Sequence, residues 1–379
     1  MKSTIESLKA LKNDLSLGKT LPGSWYTDPK IFKLEQEHIF KDSWHFVGKM
    51  HDLQKPGDFI TTNVNKTPIV VVKDKTDQLK AFINVCKHRG AEILLDEKGT
   101  CKNLKCHYHA WAWDFDGNLV GAPHSNKEKG FCKKDFPLTK LHLETLGPFI
   151  FISTSKNPVP FSQLVGQLPD FINQTGVDIG KLQHRGRIAY KMKCNWKVVV
   201  ENFLECYHCP FTHPGFVDLI DTNNYKTHTY EYSSHQRGPL KPSSIEKAQA
   251  GDDKLFDASE NCRDGIYNFA WPNFMVNIYP GPGNASTNHV IPIDENNTLA
   301  IYEFYLDERI STHEGKKIIN LVDEVQREDV IICESVQRGL LSGDYGQGRL
   351  ILSKENGIEH FQNLVFDHVT KDSPSTDLQ

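Results

Sequence analysis

The sequence predicts an α+β chain of two domains, a compact antiparallel β domain followed by a larger one that mixes helices and strands. Three observations predict it. The 379 residues exceed what one ordinary domain needs. Short β-rich segments run from Trp44 to about Phe161, separated by the turn signals Lys55-Pro-Gly-Asp58, Asp114-Phe-Asp-Gly117 and Leu146-Gly-Pro148. A long stretch at about Glu314–Leu341 then carries apolar residues at helical spacing.

The remaining elements follow in order. Residues 1–40 read as a helical lead-in interrupted at Leu21-Pro-Gly-Ser24. Residues 162–194 are mixed, and a helix is expected from about Trp196 to His208. Several strands are expected between Tyr225 and Tyr305, with Asp294-Glu-Asn-Asn297 as a hairpin turn.

Composition excludes several classes. Hydrophobic residues make up 38% and charged residues 24%, the balance of a globular chain. No apolar run approaches the roughly 18 residues of a membrane helix; the longest are strand-like, such as Pro68-Ile-Val-Val-Val72. The N-terminus lacks a signal-peptide core, so a cytoplasmic location is expected. A net charge of −4 without a basic, aromatic-rich patch argues against nucleic acid as a partner. Nine cysteines in a long, reduced chain argue against a disulfide scaffold and for metal ligands or buried thiols.

Two constellations carry the chemistry. The first is Cys86-Lys-His88 followed, after 17 residues, by Cys106-His-Tyr-His109. A Rieske [2Fe–2S] centre needs two thiolates on one iron and two imidazoles on the other. Two loops that each donate one of each meet that demand. The alternative, a structural Cys2His2 zinc site, usually pairs like with like. His107 should point away from His109 and is read as a bystander, and Cys101 as a buried thiol.

The second lies in Asn195–Gly215, where His208 and His213 are five apart. Five residues advance a helix by roughly 140°, so one straight helical face does not present both. Pro210 should break the helix, leaving His208 on its last turn and His213 in the following loop. Two histidines and a carboxylate on one octahedral face would hold iron and leave positions open for O2 and substrate. On the long helix, Asp329 falls within the apolar stripe of Ile318, Val322, Val325, Ile332 and Val336, whereas Asp323 and Glu328 fall off it. Asp329 is therefore the expected third ligand and Asp323 the fallback. Interior histidines without metal, and half a zinc knuckle at Cys206-x2-Cys209, are the alternatives. Gly281-Pro-Gly283 and Gly346-Gln-Gly348 lack the strand–helix context of a dinucleotide site, which implies that electrons arrive from a separate reductase.

These motifs resemble the Rieske non-haem iron oxygenases, large subunit, over nearly the whole chain. Arg89-Gly90, Tyr108, Trp111 and the Asp116-Gly117 turn share in the resemblance, while His107 and Ala110 stand where the family most often has Pro and Gly. Asn195–Gly215 and Glu328–Gly339 look most like the branch that attacks N-methylated quaternary amines, including carnitine and glycine betaine monooxygenases. The resemblance implies a Rieske domain at 42–160 and a catalytic domain at 161–379, with residues 1–41 as a helical segment of the latter. It implies a curved antiparallel sheet covered by helices in the catalytic domain, and a homotrimer. It also implies a cluster and one Fe(II) per chain, and an NAD(P)H-dependent reductase.

At Glu205 the family has an acidic residue that bridges the metal sites of neighbouring subunits. The expected substrate is a small quaternary amine, held on aromatic faces such as Phe203, Trp271 and Phe274. The alternatives are an aromatic-ring or aromatic-acid hydroxylase, and a Rieske electron carrier without catalytic iron.

Overall fold

The structure, a computed structural model, describes residues 2–250, 264–281 and 283–371. Residue 282, inside the Gly281-Pro-Gly283 run, and residues 251–263, inside the expected strand region, lie outside the described residues. Two compact units are present, one of residues 40–161 and one of residues 1–39 and 162–379. Among the described residues no helix is long and apolar enough to cross a membrane.

The smaller unit is built of three antiparallel sheets. One pairs Trp44–Lys49, Phe149–Ser153 and His142–Leu146. A second holds Leu79–Ile83, Thr67–Lys73, Asp58–Val64 and Lys98–Thr100. The third, Leu104–Lys105, Ala112–Trp113 and Leu119–Gly121, is small. The run Ile69-Val-Val-Val72 is buried on both faces, which explains its continuous apolarity. Val70 and Val72 pack with Phe82, Cys86, Cys106 and Trp111, while Ile69 and Val71 pack with Ile150 and Ile152. Strand alternation thus divides one run between two cores.

The larger unit is organised on a seven-stranded antiparallel sheet. Its strands are β1 (Gln183–Met192), β2 (Lys226–Thr229), β3 (Ser233–Pro239), β4 (Asp264–Ala270), β5 (Phe274–Tyr279), β6 (Asn284–Asp294) and β7 (Asn297–Leu306), in the order β1-β7-β6-β5-β4-β3-β2. The expected hairpin joins β6 to β7, with Asp294 paired to Asn297 and accepting from its side-chain amide at 2.8 Å.

Three helices matter for the site. α1 (Trp196–Phe203) is N-capped by Asn195, whose side chain accepts from the Lys197 N–H. α2 (Thr312–Leu341) opens on a Ser311/Glu314 capping box. α3 is Leu352–Thr370. α2 packs on β1 and α1, and α1 on β6. The buried stripe of α2 is not quite the expected one. Ile318 and Asp329 face inward, but Cys333 and Gln337 replace Ile332 and Val336 at the core, and Val336 is exposed. Gln337 earns its place by accepting from the Asn195 N–H at 3.0 Å, which ties α2 to the start of α1.

Beneath α1 lies a buried polar group. Lys197 and Glu35, neither exposed at all, form an ion pair; Glu35 also accepts from Trp196 Nε1 at 2.7 Å, and Lys197 donates to Asn195 Oδ1 at 2.8 Å. Glu201, one turn on, accepts from Tyr26 Oη at 2.7 Å and Gln362 Nε2 at 3.0 Å. The sequence gives these partners no local spacing, since Tyr26, Glu35 and Gln362 come from the two ends of the chain.

Candidate metal centres

The two Cys/His loops of the smaller unit have the same backbone construction. Cys86 N donates to Ala91 O at 2.8 Å and Gly90 N to Cys86 O at 3.0 Å; Cys106 N donates to Trp111 O at 2.8 Å and Ala110 N to Cys106 O at 3.1 Å. Gly90 and Ala110 occupy equivalent positions with φ of +76° and +60°. Glycine accepts that conformation freely, and alanine accepts it at a cost of about 1–2 kcal/mol.

The loops bring Cys86 and Cys106 together as buried thiols, and burial pushes the Cys86 thiol up, reinforced by its neighbour Cys106. His88 and His109 are exposed, with ring centroids 4.7 Å apart, and His88 stacks on Trp111. A pair of thiols inside and a pair of imidazoles outside fits a Rieske cluster and not a tetrahedral zinc ion wrapped by like pairs. His107 is exposed beside this group, and Cys101 sits at the edge of the same core, its thiol pushed up to about 11 by burial.

In the larger unit α1 ends at Phe203, earlier than the expected His208. His208 then precedes a short helical turn, Cys209–Thr212, and His213 stands between it and a second, Pro214–Leu219. Pro210 begins that first turn, where its missing N–H costs nothing, so it starts a helix here and does not break one. Glu205 consequently does not share a helical face with His208. Its carboxylate folds back instead, bonding His208 Nδ1 and accepting from the N–H groups of Tyr207 and His208. Cys206 and Cys209 are joined by a disulfide, a correction to the expectation of thiols; the loop between α1 and the short turn brings their Cα atoms to 5.0 Å.

His208, His213 and Asp329 converge. His208 Nε2 and His213 Nε2 are 3.1 Å apart, and Asp329 Oδ1 lies 3.0 Å from His213 Nε2 and 3.6 Å from His208 Nε2. Ligands about 2.1 Å from one ion at right angles lie about 3.0 Å apart, so these atoms fit one face of an octahedral ion. Burial would push His213 down, but the adjacent Asp329 and Glu328 carboxylates outweigh it and hold it above the ordinary imidazole range. The group thus favours a positive charge, which a proton or a metal ion can supply.

Asp323 is elsewhere, accepting from Tyr190 Oη at 2.5 Å and Arg327 Nε at 2.9 Å. Glu328, which helical projection places off the stripe, reaches His213 Nδ1 at 2.7 Å.

Above these three residues a cavity of about 170 Å³ opens, lined by Phe203, Phe216, Tyr225, Tyr267, Tyr279 and Tyr302 among others. Of the expected aromatic walls only Phe203 lines it. Trp271 packs in the core against Trp196 and Phe361, and Phe274 is equally buried, beside His289. Sequence reasoning missed the four tyrosines, which carry no local motif.

Paired thiols and imidazoles in one unit and two histidines with a carboxylate in the other define a non-haem iron oxygenase of the Rieske class. Residues 43–141 match the Rieske [2Fe-2S] domain, and residues 179–371 the ring hydroxylating alpha subunit (catalytic domain). The chain belongs to this family of oxidoreductases, and its two domains imply an iron–sulfur cluster and an iron.

It is 34% identical over 360 residues to the carnitine monooxygenase oxygenase subunit of Acinetobacter pittii, covering 92% of this chain and 94% of that protein. To the chloroplastic choline monooxygenase of Arabidopsis thaliana it is 32% identical over 367 residues, covering 93% and 84%. A crystal structure of the quaternary ammonium Rieske monooxygenase CntA with L-carnitine superposes with a TM-score of 0.80 at 32% identity, over 94% of this chain and 97% of that one. A naphthalene 1,2-dioxygenase from Rhodococcus shares the fold, at 17% identity and a TM-score of 0.78.

Proposed function

We propose that the chain is the terminal oxygenase component of a system that hydroxylates or demethylates a small N-methylated quaternary amine. The observation that carries this reading is the aromatic cavity standing over His208, His213 and Asp329. A quaternary ammonium offers no N–H to a hydrogen-bond acceptor, so recognition falls to ring faces, each worth roughly 0.5–2 kcal/mol. Phe203, Tyr267, Tyr279 and Tyr302 supply such faces. The carnitine and choline monooxygenases among its relatives support the same class.

Cys86, His88, Cys106 and His109 would hold the cluster, within a Rieske domain at 42–160. His208, His213 and Asp329 would hold Fe(II), in a catalytic domain of residues 161–379 completed by residues 1–41. When bound, these groups supply single electrons and the activation of O2. The residues around them do the positioning. Glu205 and Glu328 each accept a hydrogen bond from the Nδ1–H of one histidine, which fixes the tautomer and turns Nε2 toward the shared centre. Asn202 Nδ2 donates to Asp329 Oδ1 at 3.0 Å, holding that carboxylate in place.

The partners of this reading are a separate NAD(P)H-dependent reductase and two further copies of the chain in a homotrimer, where Glu205 bridges to a neighbour's cluster. The location is cytoplasmic.

The test is substrate-stimulated O2 consumption with a reductase, with formaldehyde and aldehyde detection, across betaines, carnitines and benzoates. Coupled turnover of a methylated amine is the expected result. Coupling to a benzoate with none to any amine would overturn the substrate class. A purified protein with about two irons per chain instead of about three would make it an electron carrier.

A further inference from the structure

Asp329 and Asp323 stand on the same helix, α2, six residues apart. At 1.5 Å of rise per residue, about 9 Å of helix axis separates them. Two tyrosines of the sheet connect these carboxylates. Tyr302 of β7 lies opposite Ile188 of β1, so Tyr190, two residues on, is its diagonal neighbour on the same face. Their rings meet edge to face, with centroids 5.4 Å apart. Tyr302 lines the cavity with Asp329. Tyr190 donates to Asp323 Oδ1 at 2.5 Å, and Arg327 Nε donates to Asp323 Oδ2 at 2.9 Å. The series runs outward. Tyr302 is 6% exposed, Tyr190 is half-buried, and the Asp323 and Arg327 side chains are 22% and 70% exposed.

Burial, with the Asp329 carboxylate, holds the Tyr302 phenol well above its ordinary range, and burial with the bonded Asp323 does the same for Tyr190. Both rings are therefore protonated phenols. A phenol gives up an electron readily only if its proton leaves with it, because the oxidised phenol is a strong acid. Tyr190 has a carboxylate at hydrogen-bond distance to take that proton. A centre that activates O2 without substrate turns its oxidising power on the cavity wall, where Phe203 and Tyr302 stand.

We propose that Tyr302, Tyr190 and Asp323 form an escape route that carries oxidising equivalents from the metal centre to the protein surface when O2 is activated without substrate. The inference rests on the reading that His208, His213 and Asp329 hold iron. In each event Tyr190 loses one electron, which crosses the Tyr302 ring to the metal centre, and the Tyr190 phenolic proton moves to Asp323. A soluble thiol then closes the Tyr190 radical. The thiol gives one electron to the phenoxyl oxygen, the proton returns from Asp323, and the thiol's own proton goes to water. Two such events join two thiols in one soluble disulfide.

The experiment uses the holoenzyme with its reductase, free of substrate and thiol, freeze-quenched after O2 is admitted and read by EPR. Wild type should show a tyrosyl radical that added thiol removes. Tyr190→Phe keeps the ring but has no hydroxyl, and should lose the signal. Asp323→Asn keeps an oxygen to accept the bond but is too weak a base to take the proton, and should lose most of it. Both variants should hold iron as wild type does and consume O2 at its rate without substrate, which separates the relay from a merely structural tie between β1 and α2. Tyr190→Phe should also inactivate several times faster per O2 consumed, with oxygen added to Phe203 or Tyr302 in peptide mass spectra. A wild type with about three irons per chain and no radical would overturn the relay and leave the iron reading standing. So would a radical undiminished in either variant, or a variant that lost iron or O2 uptake along with the signal. A wild type with about two irons per chain would overturn both.

Discussion

Glu328 Oε2 lies 2.7 Å from His213 Nδ1, while Nε2 of the same ring lies 3.0 Å from Asp329 Oδ1. Two consecutive residues of α2 therefore grip the imidazole from opposite sides, and in the proposed centre one acts as positioner and the other as fellow ligand. Glu328→Gln keeps the side-chain length but gives up the negative charge that strengthens the imidazole as a ligand. Mononuclear iron should bind about 10- to 100-fold more weakly, with the Rieske absorption unchanged. Iron titration of the chelator-treated protein, followed by calorimetry, checks this. Wild-type affinity would remove Glu328 from the centre.

Glu205 plays the matching part for His208, and its proposed bridge to a neighbour's cluster adds a second consequence. With saturating iron, Glu205→Ala should retain both metal centres and slow oxidation of the prereduced cluster at least about a hundredfold, the effect of losing roughly 2.7 kcal/mol. Stopped-flow spectroscopy in the presence of substrate and O2 reads that rate. Oxidation at wild-type speed would rule the bridge out.

The buried Lys197–Glu35 pair sits under the helix that leads toward His208 and His213. Lys197→Met should destabilise the protein by about 3–5 kcal/mol, because it leaves the buried Glu35 carboxylate without its counter-charge. The double variant Lys197→Met/Glu35→Leu should recover most of that loss. Urea unfolding of the two variants decides it; a double variant no more stable than the single one would mean that packing, not the stranded charge, sets the cost.

Burial pushes the Glu201 carboxyl up to about 7, against the partial relief of its bonds from Tyr26 and Gln362. A carboxyl raised in the folded state contributes stability that is present below its unfolded value, near 4.5, and is lost as pH rises through 7. Glu201→Gln retains an oxygen for both donors and has no charge to bury. It should therefore be more stable than wild type by on the order of 1–3 kcal/mol at pH 8 and equal to it near pH 4.5. Thermal melts at the two pH values test the sign, and a difference independent of pH would contradict it.

How much of this was legible depended on whether the information was local. Cys86-Lys-His88 and Cys106-His-Tyr-His109 could be read directly because each loop is a self-contained turn that presents both donors. The long α2 helix and the Asp294–Asn297 hairpin were legible for the same reason. Asp329 emerged from helical projection because a carboxylate facing a core needs a cation.

Glu328 did not emerge, because projection ranks residues against the apolar core. The side of α2 that carries Glu328 is met by the irregular His208–Leu219 segment, whose path no periodicity encodes. The Glu205–His208 contact was anticipated for a helical reason and is made by a carboxylate turning back in a loop. Trp271 and Phe274 looked available as walls but are consumed by core packing. Tyr267, Tyr279 and Tyr302 reach the cavity through the register of three strands, which exists only once the sheet is assembled.

The central claim, that one chain carries a Rieske cluster and a separate mononuclear iron, is tested most directly by iron and acid-labile sulfide analysis of wild type and His213→Ala, read beside the visible spectrum. Wild type should hold about three irons and two sulfides per chain, and the variant about two irons with its two sulfides and its Rieske spectrum intact. A variant that kept three irons, or lost the cluster along with the mononuclear iron, would contradict the account.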